Sequence, residues 1–235
     1  MKSSTLIALG AFFIPLSFQV RAFAATDITM KIDAERALRL PISKRIEAVE
    51  KQGPVGRAAL ERMAFDQGES LENRWRAVTA VGRAYGPESQ AFLERALKSP
   101  EWYMRNAATI VIQYGSHPWA EKWARAMLED SALVVRTAAV ESLKALNAVG
   151  SKDLLWEKLY NAQNYRAGES LWIRRHILQA LVQFATPQQE AKFTALLNDQ
   201  DKSLRPLARQ ALQKIRDQKF QGSSTAAAAN NILNR

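Results

Sequence analysis

Along most of the chain, apolar residues recur three, four, seven and eight positions apart, the period of a helix with one buried face. Val135, Ala138, Ala139, Ser142, Leu143 and Leu146 form one such stripe. Trp123, Ala124, Met127 and Leu128 form another, which predicts a helix over about 118–128. Gly53-Pro54, Gly86-Pro87, Gly115 with Pro118, Gly150-Ser151 and Thr186-Pro187 separate the stripes. Each reads as a helix stop followed by a restart with proline near the first turn. No segment reads as a strand.

The pattern also repeats at longer range. A small residue followed by a large apolar one stands at Ala48-Val49, Ala80-Val81, Val111-Ile112, Ser142-Leu143, Ala180-Leu181 and Ala211-Leu212, at spacings of 32, 31, 31, 38 and 31. Seven residues before the large member is an arginine in all copies but the first: Arg74, Arg105, Arg136, Arg174 and Arg205, with Ile42 in the first. Eight residues before the arginine comes Leu97, Leu128 or Leu197, and Leu159 fits after a seven-residue insertion. One helix pair cannot bury its stripe alone, so neighbouring pairs must stack. The chain is therefore expected to be all-α: an α-solenoid of about six stacked antiparallel helix pairs over residues 42–219. An N-terminal arm over 25–41 should precede it, and a low-complexity tail over 220–235 should follow.

The runs Phe92–Ala108, Ala126–Ala139 and Phe193–Ala208 resemble HEAT repeats of the short, bilin-lyase-like type, and the resemblance extends over about 42–216. It implies a HEAT-like superhelix in which an aspartate six residues before the arginine pairs with it in a ladder between repeats. Asp130 and Asp199 match that position, whereas Gly68, Ser99 and Gly168 do not. The ladder is thus expected to be incomplete in the second, third and fifth units. Ser70 and Ser170, each in a Gly-Glu-Ser-Leu string, are the expected N-caps of their second helices.

Residues 1–24 follow another pattern. Lys2, the apolar run Leu6–Val20 and Ala22-Phe23-Ala24 have the form of a cleavable signal peptide. The mature chain is then expected to begin at Ala25 and to be exported, periplasmic or secreted, with no transmembrane segment left after cleavage. The chain contains no cysteine, which excludes disulfides, a thiol nucleophile and Cys-ligated metal. Its two histidines, His117 and His176, leave little scope for metal or triad chemistry, so no catalytic, metal or cofactor residue is assigned. His176 is expected to be buried and hydrogen-bonded. Charge is uneven: residues 202–235 hold seven basic side chains against Asp217 alone, a net of +6.

The candidate binding residues follow from position. Trp75 falls in the column with Asn106, Thr137, Arg175 and Pro206, which in a HEAT solenoid faces the concave side. It is a surface candidate or packs against the N-terminal arm. Arg175 shares that column. Arg209 and Lys214 belong to the basic end, where both are expected to be exposed. Tyr165-Arg166 lies in the insertion, expected to be a protruding loop that either binds a partner or is a neutral addition. The arginine column reads as structural, or as a basic stripe for a polyanion. The leading expectation is a non-enzymatic scaffold that binds a protein or peptide along its concave face, without nucleic acid. The alternatives are an anionic envelope polymer bound at the basic end, or an enzyme of the lyase or glycosylase type that the resemblance also implies. Mass spectrometry of the native N-terminus should find Ala25; an intact Met1 would remove the case for export.

Overall fold

A computed structural model describes residues 29–114 and 118–233, with side chains through residue 221. The expected signal peptide and His117 lie outside the described residues. The chain is all-α apart from one small hairpin. Helix α1 (residues 29–39) precedes α2 (Ile42–Lys51), α3 (Gly53–Phe65), α4 (Leu71–Tyr85), α5 (Gln90–Leu97), α6 (Trp102–Ile112), α7 (Ala120–Met127) and α8 (Leu133–Ala145). Then come α9 (Lys152–Leu159), β1 (Tyr165–Arg166), β2 (Glu169–Ser170), α10 (Ile173–Gln183), α11 (Glu190–Ala195) and α12 (Arg205–Leu233). The two short strands were not expected.

Helices α2, α4, α6, α8, α10 and α12 pack one against the next as an inner layer, while α3, α5, α7, α9 and α11 each pack on the inner helix that follows. Consecutive outer helices touch each other much less. A stack packed more closely on one side bends toward that side, so the inner helices line the concave face. Helix α1 buries Ala34, Ala37 and Leu38 in the same core as Val49 and Ala77, so the expected arm is the outer helix of the first unit. At the other end α12 runs on to Leu233, so the low-complexity stretch continues that helix. No helix among the described residues is long and apolar enough to cross a membrane.

The repeated dipeptide is the core of this arrangement. Its large members Val81, Ile112, Leu143 and Leu181 are fully buried between inner helices, and truncating one to alanine should cost about 2–5 kcal/mol. The small members let the helices approach: Ser142, fully buried, donates Oγ across to the Thr109 carbonyl at 2.9 Å. Gly82 does the same between α4 and α6, since a Cβ there would lie 2.7 Å from Val111. The core divides into an N-terminal and a C-terminal cluster, and Trp119, Trp123 and Met127 pack against both. The two indoles stack with centroids 3.6 Å apart, as their i, i+4 spacing on a first helix suggests.

Each loop between an outer and an inner helix after the first unit contains the same turn. Asp66, Ser99, Asp130, Asn161 and Asp199 each accept a hydrogen bond from the backbone N–H two residues on. The turn residues of the second and fifth units are therefore Asp66 and Asn161, displaced from Gly68 and Gly168 by extra loop residues. The arginine that follows caps its own loop. Arg105 donates Nη1 to the carbonyls of Ser99 and Pro100 at 2.9 and 2.8 Å, and Arg136 donates to those of Asp130 and Ser131 at 2.8 and 3.0 Å. Arg74 and Arg174 reach the Ala64 and Leu159 carbonyls at the ends of their outer helices.

The same guanidinium then reaches into the next unit. Arg105 grips both oxygens of Asp130 at 2.5 and 2.8 Å, and Arg174 reaches Asp199 at 2.8 Å. Arg74 donates to Glu101 at 3.1 Å, and Arg136 to Asn164 Oδ1 at 3.2 Å and the Gln163 carbonyl at 2.9 Å. The ladder is thus complete through four rungs, contrary to expectation. Ser99 cannot supply the acceptor, but it holds Glu101 Oε2 at 2.6 Å, and that carboxylate does. In the fifth unit the insertion supplies it.

Burial opposes ionisation of Asp130, but hydrogen bonds from Arg105 and the Ala132 amide, with the charges of Arg105 and Arg136, outweigh it and hold the carboxyl below its ordinary 3.8. A carboxylate depressed on folding stabilises in full above its unfolded value, and that stability is lost as pH falls through the folded one. Asp130→Ala should cost about 2–3 kcal/mol at pH 7, less than a wholly buried pair because Arg105 retains 15% exposure. Urea melts at falling pH should show this difference shrinking below pH 3.8.

Candidate functional site

The seven-residue insertion folds into a hairpin. Tyr165 pairs with Ser170 and Arg166 with Glu169, leaving Ala167 and Gly168 as a two-residue turn with φ of 51° and 82°. Positive φ at both positions is the type I′ geometry that matches strand twist, and Gly168 adopts it without the steric cost borne by Ala167. The Leu171 N–H donates to the Asn164 carbonyl at 3.0 Å and extends the pairing by one residue. Asn164, only 2% exposed, anchors the base. It accepts from Arg136 and donates Nδ2 to the Lys158 carbonyl at 2.7 Å.

Between this hairpin and the 199–203 turn of the next unit lies a cavity of about 790 Å³, open to solvent and lined among others by Tyr165, Ser170, Trp172, Arg175, Asp201 and Lys202. Arg174 forms its floor, 2% exposed, with the Tyr165 ring 4.7 Å from the guanidinium carbon. Burial pushes the Tyr165 phenol up, against the pull of Arg174. At Asp201, burial is overcome by donors from Ser170 and Ser203 and by the Arg174 charge, so the carboxyl is held low. The two walls are joined through Arg174, whose guanidinium lies against the Tyr165 ring and donates to Asp199. What they offer to solvent is an indole, Trp172, 57% exposed with its Nε1 tied to Thr137 Oγ1 at 3.0 Å, flanked by exposed Arg175 and Lys202. Glu169 adds one exposed carboxylate.

Of the residues singled out by sequence, Tyr165 and Arg175 meet in this cavity. Arg166 is exposed on β1 and lies outside the lining. Trp75 follows the packing alternative: its ring is half-buried against the N-terminal core that α1 shares, and its Nε1 donates to Asn106 Oδ1 at 3.3 Å, tying one unit to the next. Lys214 is a correction, since it donates to the Val182 and Gln183 carbonyls at 3.3 and 2.6 Å and closes the C-terminus of α10. Arg209 is exposed as expected. Ser170 lies in β2, and α10 begins only at Ile173, so it is no N-cap; Ser70 is one, accepting from the Asn73 N–H at 3.1 Å. His176 is half-exposed on the concave side, its Nδ1 2.7 Å from Glu141, which also takes Lys144. Sequence reasoning missed Trp172, Lys202 and Asn164. The available signal was the insertion itself, placed one unit before the loop it would face.

No protein-family model matches the chain, and no curated protein matches it. Among solved structures the chain is similar to a crystal structure of an engineered protein, a Northeast Structural Genomics Consortium target, with a TM-score of 0.51 and 16% identity. The likeness covers 81% of this chain and 90% of that one, and it concerns the fold.

Because Asn164 completes a rung, the insertion is part of the frame. Asn164→Ala should lower the melting temperature by roughly 5–10 °C, the effect of about 2–3 kcal/mol lost where a buried guanidinium N–H loses its acceptor. Deleting 162–168 should do at least as much, while Arg166→Ala, on an exposed strand position, should change stability by about 0.5 kcal/mol or less. Differential scanning calorimetry of the three variants checks the order.

Proposed function

We propose that the chain is an exported, non-enzymatic scaffold of HEAT type that binds an extended segment of another polypeptide in the groove between the hairpin and the 199–203 turn, continuing onto the concave face. The observation that carries this reading is an exposed indole set between two hydrogen-bonded walls in a cavity of about 790 Å³. Binding residues concentrate on loops held by a scaffold, and tryptophan and arginine are the side chains most often dominant at protein contacts. Trp172 provides apolar area, while Arg175 and Lys202 favour a segment carrying acidic or carbonyl oxygens.

The hairpin supports an extended occupant. The Leu171 bond marks 164 and 171 as a hydrogen-bonded pair, so by alternation the backbone groups of Ser170 point away from β1, toward the cavity it lines. An added strand could pair there. The Trp172–Thr137 bond connects the groove to the inner face of α8, giving a continuous path toward Glu141 and His176.

A pull-down from the envelope fraction with residues 25–235 should recover a protein partner. A Trp172→Ala, Arg175→Ala variant should retain parental helicity and lose that partner, with affinity falling by about thirtyfold or more, the effect of removing about 2 kcal/mol at a dominant contact. Equal recovery by parent and variant would retire the groove.

A further inference from the structure

Each inner helix presents one stripe to the unit that follows it. In the four interior examples the ladder arginine begins the stripe, and the residues four and seven places on are fully buried: Val78 and Val81, Thr109 and Ile112, Val140 and Leu143, Leu178 and Leu181. In α12 the same stripe reads Arg205, Arg209, Leu212 and Arg216, with Arg209 and Arg216 exposed and Arg205 and Leu212 half-buried. Among the described residues no unit packs over it.

The ladder is open at this point. Arg74, Arg105, Arg136 and Arg174 each receive an oxygen from the next unit. Arg205 turns its Nε and Nη2 onto the Asp199 carbonyl of its own loop, at 3.2 and 3.0 Å. The same edge of Arg105 grips Asp130. The carboxylates nearest in sequence are engaged elsewhere: Asp199 with Arg174, Asp201 with Ser203, Asp217 with Gln213. A polar outer face on a terminal repeat is enough for solubility, but that need is met by any polar residue. This end instead has three arginines on one stripe around a half-buried leucine.

We infer that the stripe Arg205, Arg209, Leu212 and Arg216 is a docking face for an acidic segment of another polypeptide, one carboxylate of which takes at Arg205 the place that Asp130 takes at Arg105. A second copy stacked head to tail does not meet this requirement, because the loop it would offer, Leu40-Pro41 between α1 and α2, has no acidic side chain. Two copies meeting end to end would oppose arginine to arginine. The stripe lies outside the groove lining, though Arg205 caps the turn that forms one groove wall, and the inference does not depend on the groove reading.

Fluorescence anisotropy with labelled poly-L-glutamate, against labelled polyphosphate of similar charge, tests this on residues 25–235. Poly-L-glutamate should bind the parent chain. Arg205→Lys keeps the charge but loses the fork that a carboxylate accepts, so it should weaken poly-L-glutamate about tenfold and leave polyphosphate nearly unchanged. Arg209→Gln with Arg216→Gln, both at exposed positions, should weaken both probes and preserve the circular dichroism spectrum. That second variant keeps the test valid if Arg205→Lys disturbs the fold. The inference is overturned if the parent chain does not bind poly-L-glutamate, or if Arg205→Lys binds it as the parent does. It is overturned too if polyphosphate binds at least as tightly and Arg205→Lys affects both probes alike, which would make the end a site for anionic polymers in general.

Discussion

The solenoid depends on one side chain used repeatedly: the arginine in the first turn of α4, α6, α8 and α10. It sits where an outer helix has just ended and its last carbonyls have no helical partner. By donating to those carbonyls it closes its own unit, and by reaching an oxygen in the next loop it fixes the register of the following one. A lysine could provide the charge, but it lacks a planar fork able to serve two units at once. Burial is tolerable because the donors are used: Arg136 has four acceptors for its three nitrogens. Leaving such a group with half its partners would cost more than never burying it.

This explains how the rungs can differ in chemistry and still do the same work. An aspartate in the turn itself serves two rungs, a glutamate two residues further on serves another, and a neutral amide from an inserted segment serves a fourth. What the architecture requires is an oxygen at one point in space, and the loop can place it from several sequence positions.

That freedom also marks where the sequence could be read and where it could not. The helices, their pairing and the buried dipeptide were legible, because they follow from a fixed 3.6-residue period and a repeat of about 31 that few mutations can blur. The arginine column was legible for the same reason. Its acceptors were not: matching at a fixed offset of six finds Asp130 and Asp199 and passes over Glu101 and Asn164, whose role depends on how the loop folds. The groove had the same problem. Tyr165 and Arg175 could be chosen by position, but Trp172 becomes a site residue only once the insertion is known to be a wall, and the choice between Trp75 as surface or as packing is made only once Asn106 is seen beside its indole.

The two walls of the groove hang on different rungs. The hairpin is fastened through Asn164, an uncharged amide, and the facing turn through Asp199, a carboxylate in an ion pair with Arg174. Both fastenings are buried, so salt screens neither strongly. The two sides of the cleft therefore rest on different chemistry, so a substitution at Asn164 releases the hairpin while the facing turn keeps its own tie to Arg174.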